Sequence, residues 1–159
     1  MKLELDSISS NESFARVVVA AFLTRLNPTM EEVADIKTAV SEAVTNAIIH
    51  GYENLYGYGK HGDKVPAYET IHPGKVYMHC EIKGDTCYIV IQDKGKGMAD
   101  VEKAMEPLFT SKPEYNRSGM GFAFMEAFMD DLEVFSEEGK GTVVKMQKKI
   151  GAGSWIEAC

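Results

Sequence analysis

The chain has 159 residues, enough for one domain around one hydrophobic core. Hydrophobic residues make up 45% and charged residues 26%, the balance of an ordinary globular protein. A net charge of −7 repels phosphate backbones and argues against direct nucleic-acid binding. The start, Met1-Lys2-Leu3-Glu4-Leu5-Asp6, is charged and alternating and lacks the apolar core of a signal peptide, and apolar runs such as Val17–Leu23 are too short to cross a bilayer. A cytoplasmic protein without a membrane partner is expected. Cys80, Cys87 and Cys159 have no metal-like spacing, and His50, His61, His72 and His79 form no zinc motif. The cysteines read as two strand residues turned inward and a free thiol in the tail.

Residues 2–8 alternate through Leu3, Leu5 and Ile8 and predict a short strand. Ser10-Asn11-Glu12-Ser13 offers N-cap chemistry for a helix over 11–26, which Asn27-Pro28 ends. Thr29-Met30-Glu31-Glu32 is a capping box, and the helix it opens should run from Met30 to His50 with Gly51 as its C-terminal stop. Residues 57–73, with Gly57, Gly59, Gly62, Pro66 and Pro73, have little periodicity and read as a long surface loop, mobile or disordered. Val76, Met78, Cys80 and Ile82 alternate, Gly84-Asp85 makes a hairpin turn, and residues 86–92 form the returning strand. A short helix is expected over 99–105. Residues 107–117 are irregular, and Ser118 is placed to cap a helix over 119–129. Strands over 132–136 and 142–149 close the chain, and 151–159 read as a loose tail.

This order lacks regular βαβ alternation. It predicts an α+β two-layer sandwich, helices on one face of a mixed, mostly antiparallel sheet, as a single domain over 1–150 with 57–73 as an inserted loop. A nucleotide site on such a layer would lie between helices and not in a doubly wound crevice.

Four short constellations carry possible chemistry. On the second helix Glu42, Asn46 and His50 recur at i, i+4, i+8 and form one polar stripe beside apolar Ile36, Ala39, Val40, Ala43, Val44, Ala47 and Ile48. A solvated helix face shows the same stripe. Mg²⁺, however, needs only one or two protein oxygens beside phosphates, which Asn46 can supply, and Glu42 one turn away suits a general base. Asp93-Lys94-Gly95-Lys96-Gly97-Met98 follows a predicted strand, so Asp93 can accept from an exocyclic amine such as adenine N6, while Gly95 and Gly97 allow close backbone approach. An ordinary glycine turn has the same letters. Ser118-Gly119-Met120-Gly121-Phe122 opens a helix whose unpaired N–H groups suit phosphates, and Thr110, Ser111, Lys112 and Arg117 precede it as a candidate lid. It is no P-loop, and a capped helix after a polar loop is the plainer reading. Gly139-Lys140-Gly141-Thr142, before the last strand, is on its own a turn.

Each signal is weak alone, but the four occur in one order within one domain. That ordered set resembles the nucleotide-binding fold shared by gyrase, a heat-shock chaperone, histidine kinases and the mismatch-repair protein MutL. Within this group the chain is similar to the family of sporulation anti-sigma F factors, serine kinases of Gram-positive spore formers. The resemblance is carried by residues 11–17, 41–52, 107–114, 117–122 and 128–131. It implies the Mg²⁺-binding asparagine at Asn46, the catalytic glutamate at Glu42 and the adenine-binding aspartate at Asp93, supported by Gly95 and Gly97. It also implies phosphate-binding glycines at Gly119 and Gly121, Thr142 near the adenine, and a lid over 105–118. With Thr110, Ser111, Lys112, Ser118 and Met120 these make up the expected ATP site.

The resemblance also implies a homodimer that holds sigma factor F in the ATP-bound state and phosphorylates a serine of a small anti-anti-sigma protein. Glu12 and Arg16, one turn apart on the first helix, are candidates for partner contact, although a surface i,i+4 pair is the alternative. The 57–73 loop is longer than the family's usual link. Three other readings compete: a sensor histidine kinase domain, which lacks its phosphoacceptor helix pair in 1–10; an anti-sigma module that binds ATP without transferring phosphate, which Glu42 argues against; and a relative acting on a stress-response sigma factor.

Overall fold

The computed structural model describes residues 1–52, 57–58, 64–65, 74–107 and 120–151. The elements are β1 (Lys2–Asp6), α1 (Ser10–Leu23) with a tighter turn over Thr24–Leu26, α2 (Met30–Asn46) continuing as a π turn over Ala47–Gly51, β2 (Gly57–Tyr58), β3 (Lys64–Val65), β4 (Lys75–Lys83), β5 (Thr86–Asp93), α3 (Val101–Met105), α4 (Gly121–Phe128), β6 (Asp131–Glu137) and β7 (Gly141–Lys149).

The predicted capping box forms as expected. Thr29 Oγ1 accepts from the Glu32 amide at 3.2 Å and Glu32 Oε2 accepts from the Thr29 amide at 2.8 Å. Two orphan N–H groups at the start of α2 are thereby satisfied, which fixes where the helix begins. The other oxygen of Glu32 accepts from the Gly151 amide at 2.7 Å, so the start of α2 also holds the end of β7. Residue 27, the only described non-glycine residue with positive φ (53°), is an asparagine that turns the chain from α1 into α2.

Five strands form one sheet in the order β1-β4-β5-β7-β6, and all four pairings are antiparallel. The two-layer α+β expectation holds, with no parallel pair in this sheet. The helices cover one face. Leu5, Val76, Met78, Cys80, Cys87, Ile89, Ile91, Val144 and Met146 point into the core from the sheet. Ala15, Val19 and Leu23 of α1, and Ile36, Ala39, Val40, Ala43 and Val44 of α2, meet them from the helices. Each large aliphatic side chain removed from water stabilises the fold by about 1.5–3 kcal/mol. Both cysteines of the hairpin are buried free thiols, as expected, and burial pushes Cys80 up to about 12 and Cys87 to about 11. Cys159 lies outside the described residues.

The sequence reading needs correction at three places. The stretch 57–73 is not wholly irregular, because Gly57–Tyr58 pairs antiparallel with Lys64–Val65. Two-residue strands are too short to show periodicity. The α4 cap position is Met120, without a side-chain cap bond, two residues beyond Ser118, which lies outside the described residues. Gly51 is no left-handed helix stop. It sits inside the π turn without positive φ, and its missing side chain serves another purpose, given below.

Candidate functional site

The expected site has two ends, built from different elements. The first end lies where α2 meets α4. A Cβ built on Gly121 would lie 3.1 Å from Glu42 Oε2 and 3.3 Å from Asn46 Nδ2. The predicted stripe on α2 therefore faces the first residue of α4, and both side chains reach the same spot. Glu42, Asn46 and His50 are each half-buried, so the face is not simply solvated. The missing side chain of Gly121 lets the start of α4 come close to both polar groups. Of the expected phosphate-side residues, Met120 is half-buried at the cap position, while Thr110, Ser111, Lys112, Ser118 and Gly119 lie outside the described residues.

The second end is built on Asp93, the last residue of β5, which is buried. Its carboxylate accepts from the Gly95 amide at 2.9 Å, and the Thr142 amide also donates to it. Burial raises its pKa above the ordinary carboxylate value, and the two amides pull it back down. A Cβ on Gly51 would lie 2.8 Å from this carboxyl group, which is why a glycine stands there. A Cβ on Gly95 would lie 1.8 Å from the Gly51 carbonyl oxygen, and one on Gly97 (φ 68°) 2.0 Å from that of Glu137. The space saved at Gly95 and Gly97 is thus taken by the protein's own backbone. Thr142 stands opposite Asp93 on β7, and its Oγ1 lies 2.8 Å from Ser136 Oγ, which in turn accepts from the Met98 amide at 2.8 Å.

Sequence reasoning missed Gly51, Tyr52 and Ser136. Tyr52 Oη donates to the Lys75 carbonyl at 2.5 Å and accepts from the Lys94 amide at 2.8 Å. The one available signal was position, since Gly51 and Tyr52 directly follow the Glu42–Asn46–His50 stripe. Ser136 carried none.

Glu12 and Arg16 lie elsewhere, on α1. Arg16 Nε is 2.9 Å from Glu12 Oε1, an i,i+4 ion pair, and the same oxygen accepts from Ser41 Oγ at 2.5 Å. Glu12 therefore links α1 to α2, one position before Glu42. Among the described residues no group of three or more His, Cys, Asp or Glu side chains gathers as a metal cage, and no helix is long and apolar enough to cross a membrane. Mg²⁺ needs no such cage: the amide of Asn46 beside the carboxylate of Glu42, facing a residue without a Cβ, fits an ion held mainly by water and phosphate.

Comparison with known proteins agrees with this architecture. The family model of the histidine kinase-like ATPase domain matches residues 9–148, which defines the class. The RsbU and RsbW domains of a Mycobacterium tuberculosis protein superpose with a TM-score of 0.57 at 18% identity, covering 94% of this chain and 32% of that one. A blue-light activated histidine kinase of Erythrobacter litoralis gives a TM-score of 0.52 at 18% identity, covering 77% of this chain and 32% of that one. At such identity the likeness concerns the fold. Much nearer in sequence is an anti-sigma F factor of Thermoanaerobacter pseudethanolicus, 53% identical over 96% of this chain and 94% of the relative. An anti-sigma F factor of Oceanobacillus iheyensis is 51% identical over 98% of this chain and 96% of the relative. The chain belongs to the anti-sigma F factor family.

Proposed function

We propose that the chain is a cytoplasmic, ATP-dependent protein serine kinase that holds sporulation sigma factor F inactive and phosphorylates a serine of its anti-anti-sigma partner. The observation that carries this reading is the convergence of Glu42 and Asn46 on Gly121, with Asp93 enclosed against Gly51 at the end of the turn that follows the same helix. One ATP-binding domain spans 1–150, with 57–73 inserted.

In this reading Asp93 accepts from the exocyclic amine of adenine, with Gly95, Gly97 and Thr142 around it. Its burial supports that role, because a carboxylate shielded from water binds a donor more strongly. Gly119, Met120 and Gly121 present backbone N–H groups to phosphate at the start of α4. Thr110, Ser111, Lys112 and Ser118 belong to a lid that closes over it. Asn46 supplies one oxygen to Mg²⁺. When bound, the metal neutralises phosphate charge and helps align the transferred group. Glu42 takes the proton of the incoming serine hydroxyl. The stripe spacing gives the two side chains one turn of separation, so base and metal ligand address the same phosphate.

The chain works as a homodimer. β1 supports this, because among the described residues β4 pairs with it on one side only, and an edge strand can pair with a second chain. Arg16, with exposed Phe14 and Val17 beside it on α1, supports a protein-binding surface there, with Glu12 orienting the guanidinium. A strongly acidic chain acting in transcription is consistent with a protein partner rather than DNA.

The test is transfer of labelled phosphate from Mg-ATP to the anti-anti-sigma protein, with Glu42→Ala and Asn46→Ala alongside. Expected is labelled phosphoserine with the unmodified chain and a loss of at least about 100-fold in each variant. Retained sigma-factor binding in Glu42→Ala would separate holding from transfer. ATP binding with no transfer by the unmodified chain would overturn the kinase reading and leave an anti-sigma module clamped by nucleotide.

A further inference from the structure

We propose that Tyr52 is a positioning residue for nucleobase recognition, holding through its hydroxyl the turn that presents Asp93. This rests on the reading of Asp93 as the adenine acceptor. Three consecutive amides leave β5, and each has a different anchor. The Lys94 amide donates to Tyr52 Oη at 2.8 Å, the Gly95 amide to Asp93 Oδ1 at 2.9 Å, and the Lys96 amide to the Gly51 carbonyl at 2.8 Å. Two of the three anchors therefore come from adjacent residues, Gly51 and Tyr52, at the far end of the π turn. Gly51 in addition stands directly against the Asp93 carboxyl group.

The phenol is itself fixed from two sides. Its hydroxyl donates to the Lys75 carbonyl at the start of β4, and its ring lies where a side chain on Gly74 would have to go, 2.4 Å from the position of a Cβ. Gly74 in turn accepts at its carbonyl from the Ser7 amide at 2.7 Å, beyond the end of β1. A hydroxyl that donates and accepts at once cannot be replaced by an apolar group of the same shape without losing both the bond to the Lys75 carbonyl and the bond from the Lys94 amide. Burial also raises the phenol further above its ordinary pKa, so it stays protonated and can donate at neutral pH.

The chemistry gives a specificity signature. A carboxylate held in place rewards the amine of adenine and repels the carbonyl oxygen that guanine carries at the equivalent edge. Loosening the turn weakens only the interaction that depends on where Asp93 points. A purely structural tyrosine would weaken every nucleotide alike.

The experiment titrates the full chain with fluorescent ATP and GTP analogues in the presence of Mg²⁺, comparing wild type, Tyr52→Phe and Asp93→Ala. Tyr52→Phe keeps the ring on Gly74 and removes only the hydroxyl. Expected is about a tenfold weaker ATP affinity, the scale of one or two lost hydrogen bonds, with GTP affinity within about twofold of wild type. Phosphate transfer at saturating ATP stays within about twofold, because the Glu42–Asn46 end is untouched. Equal weakening of ATP and GTP, or an unchanged preference while Asp93→Ala loses it, overturns the role of Tyr52 and leaves Asp93 standing. A wild-type chain without preference for ATP, or an Asp93→Ala chain that keeps it, overturns the adenine reading and this inference with it.

Discussion

The two ends of the site are built on opposite plans. Around Asp93 the geometry is set by close backbone approach: a Cβ on Gly95 or Gly141 would collide with a backbone carbonyl, and one on Gly51 with the Asp93 carboxyl group. At Glu42 and Asn46 it is set by side chains on a regular helix, and neighbouring turns of α2 carry the fold through Ile36, Ala39, Val40, Ala43 and Val44. The difference teaches that the glycines around Asp93 cannot gain a side chain without disturbing the fold, whereas Glu42 and Asn46 can change their chemistry while the fold stands.

That contrast is open to attack, beginning with its largest effect. Gly95→Ala forces a Cβ into the Gly51 carbonyl, both parts of rigid backbone, and should cost about 3 kcal/mol or more in urea denaturation. Glu42→Gln, which keeps the size and one acceptor oxygen on a half-buried side chain, should cost no more than about 1 kcal/mol in the same assay. Equal losses would abolish the distinction.

A smaller effect, confined to the Asp93 end, depends on pH. Folding raises the pKa of Asp93, so in the window just above 3.8 the folded state holds the proton more tightly than the unfolded state. Its contribution is fully present below that value, is lost as pH rises through the raised folded pKa, and is flat above it. Asp93→Asn should lack this slope. Stability measured against pH for both chains would show a difference confined to that acid window, and coincident slopes would mean that Asp93 is not desolvated by the fold.

The smallest effect is remote from both ends and calibrates them. Thr29→Ala removes the cap of α2 and should cost about 1 kcal/mol, with ATP affinity unchanged.

How much was legible in the sequence follows the same division. The α2 stripe and its capping box were readable because a helix repeats its contacts every few residues, and Thr29 and Glu32 signal only to each other. The β4–β5 hairpin was readable because alternation and Gly84 (φ 61°) are local. The order of four weak motifs then pointed to the family, and the family comparisons agree. The helical segment does stop at Gly51, but not through a left-handed glycine, and the reason for a glycine there is Asp93, 42 positions away in sequence and adjacent in space. The link from Glu12 to Ser41, across 29 positions, was equally invisible, although the Glu12–Arg16 spacing was plain. The β2–β3 pair escaped because two residues hold no period.

One earlier feature bears on how such a chain is made. β1 pairs with β4, Lys2 opposite His79, and Glu32 reaches the Gly151 amide across 119 positions. On a ribosome, α1 and α2 can pack as soon as they emerge, because their contacts are near in sequence. The inward side chains of β1, Leu3 and Leu5, must wait for a strand synthesised some seventy residues later, at about 5–20 residues per second. The strand that completes β1 is therefore made several seconds after β1 itself. The carboxylate that caps α2 early gains its second partner only when synthesis has passed the end of the sheet.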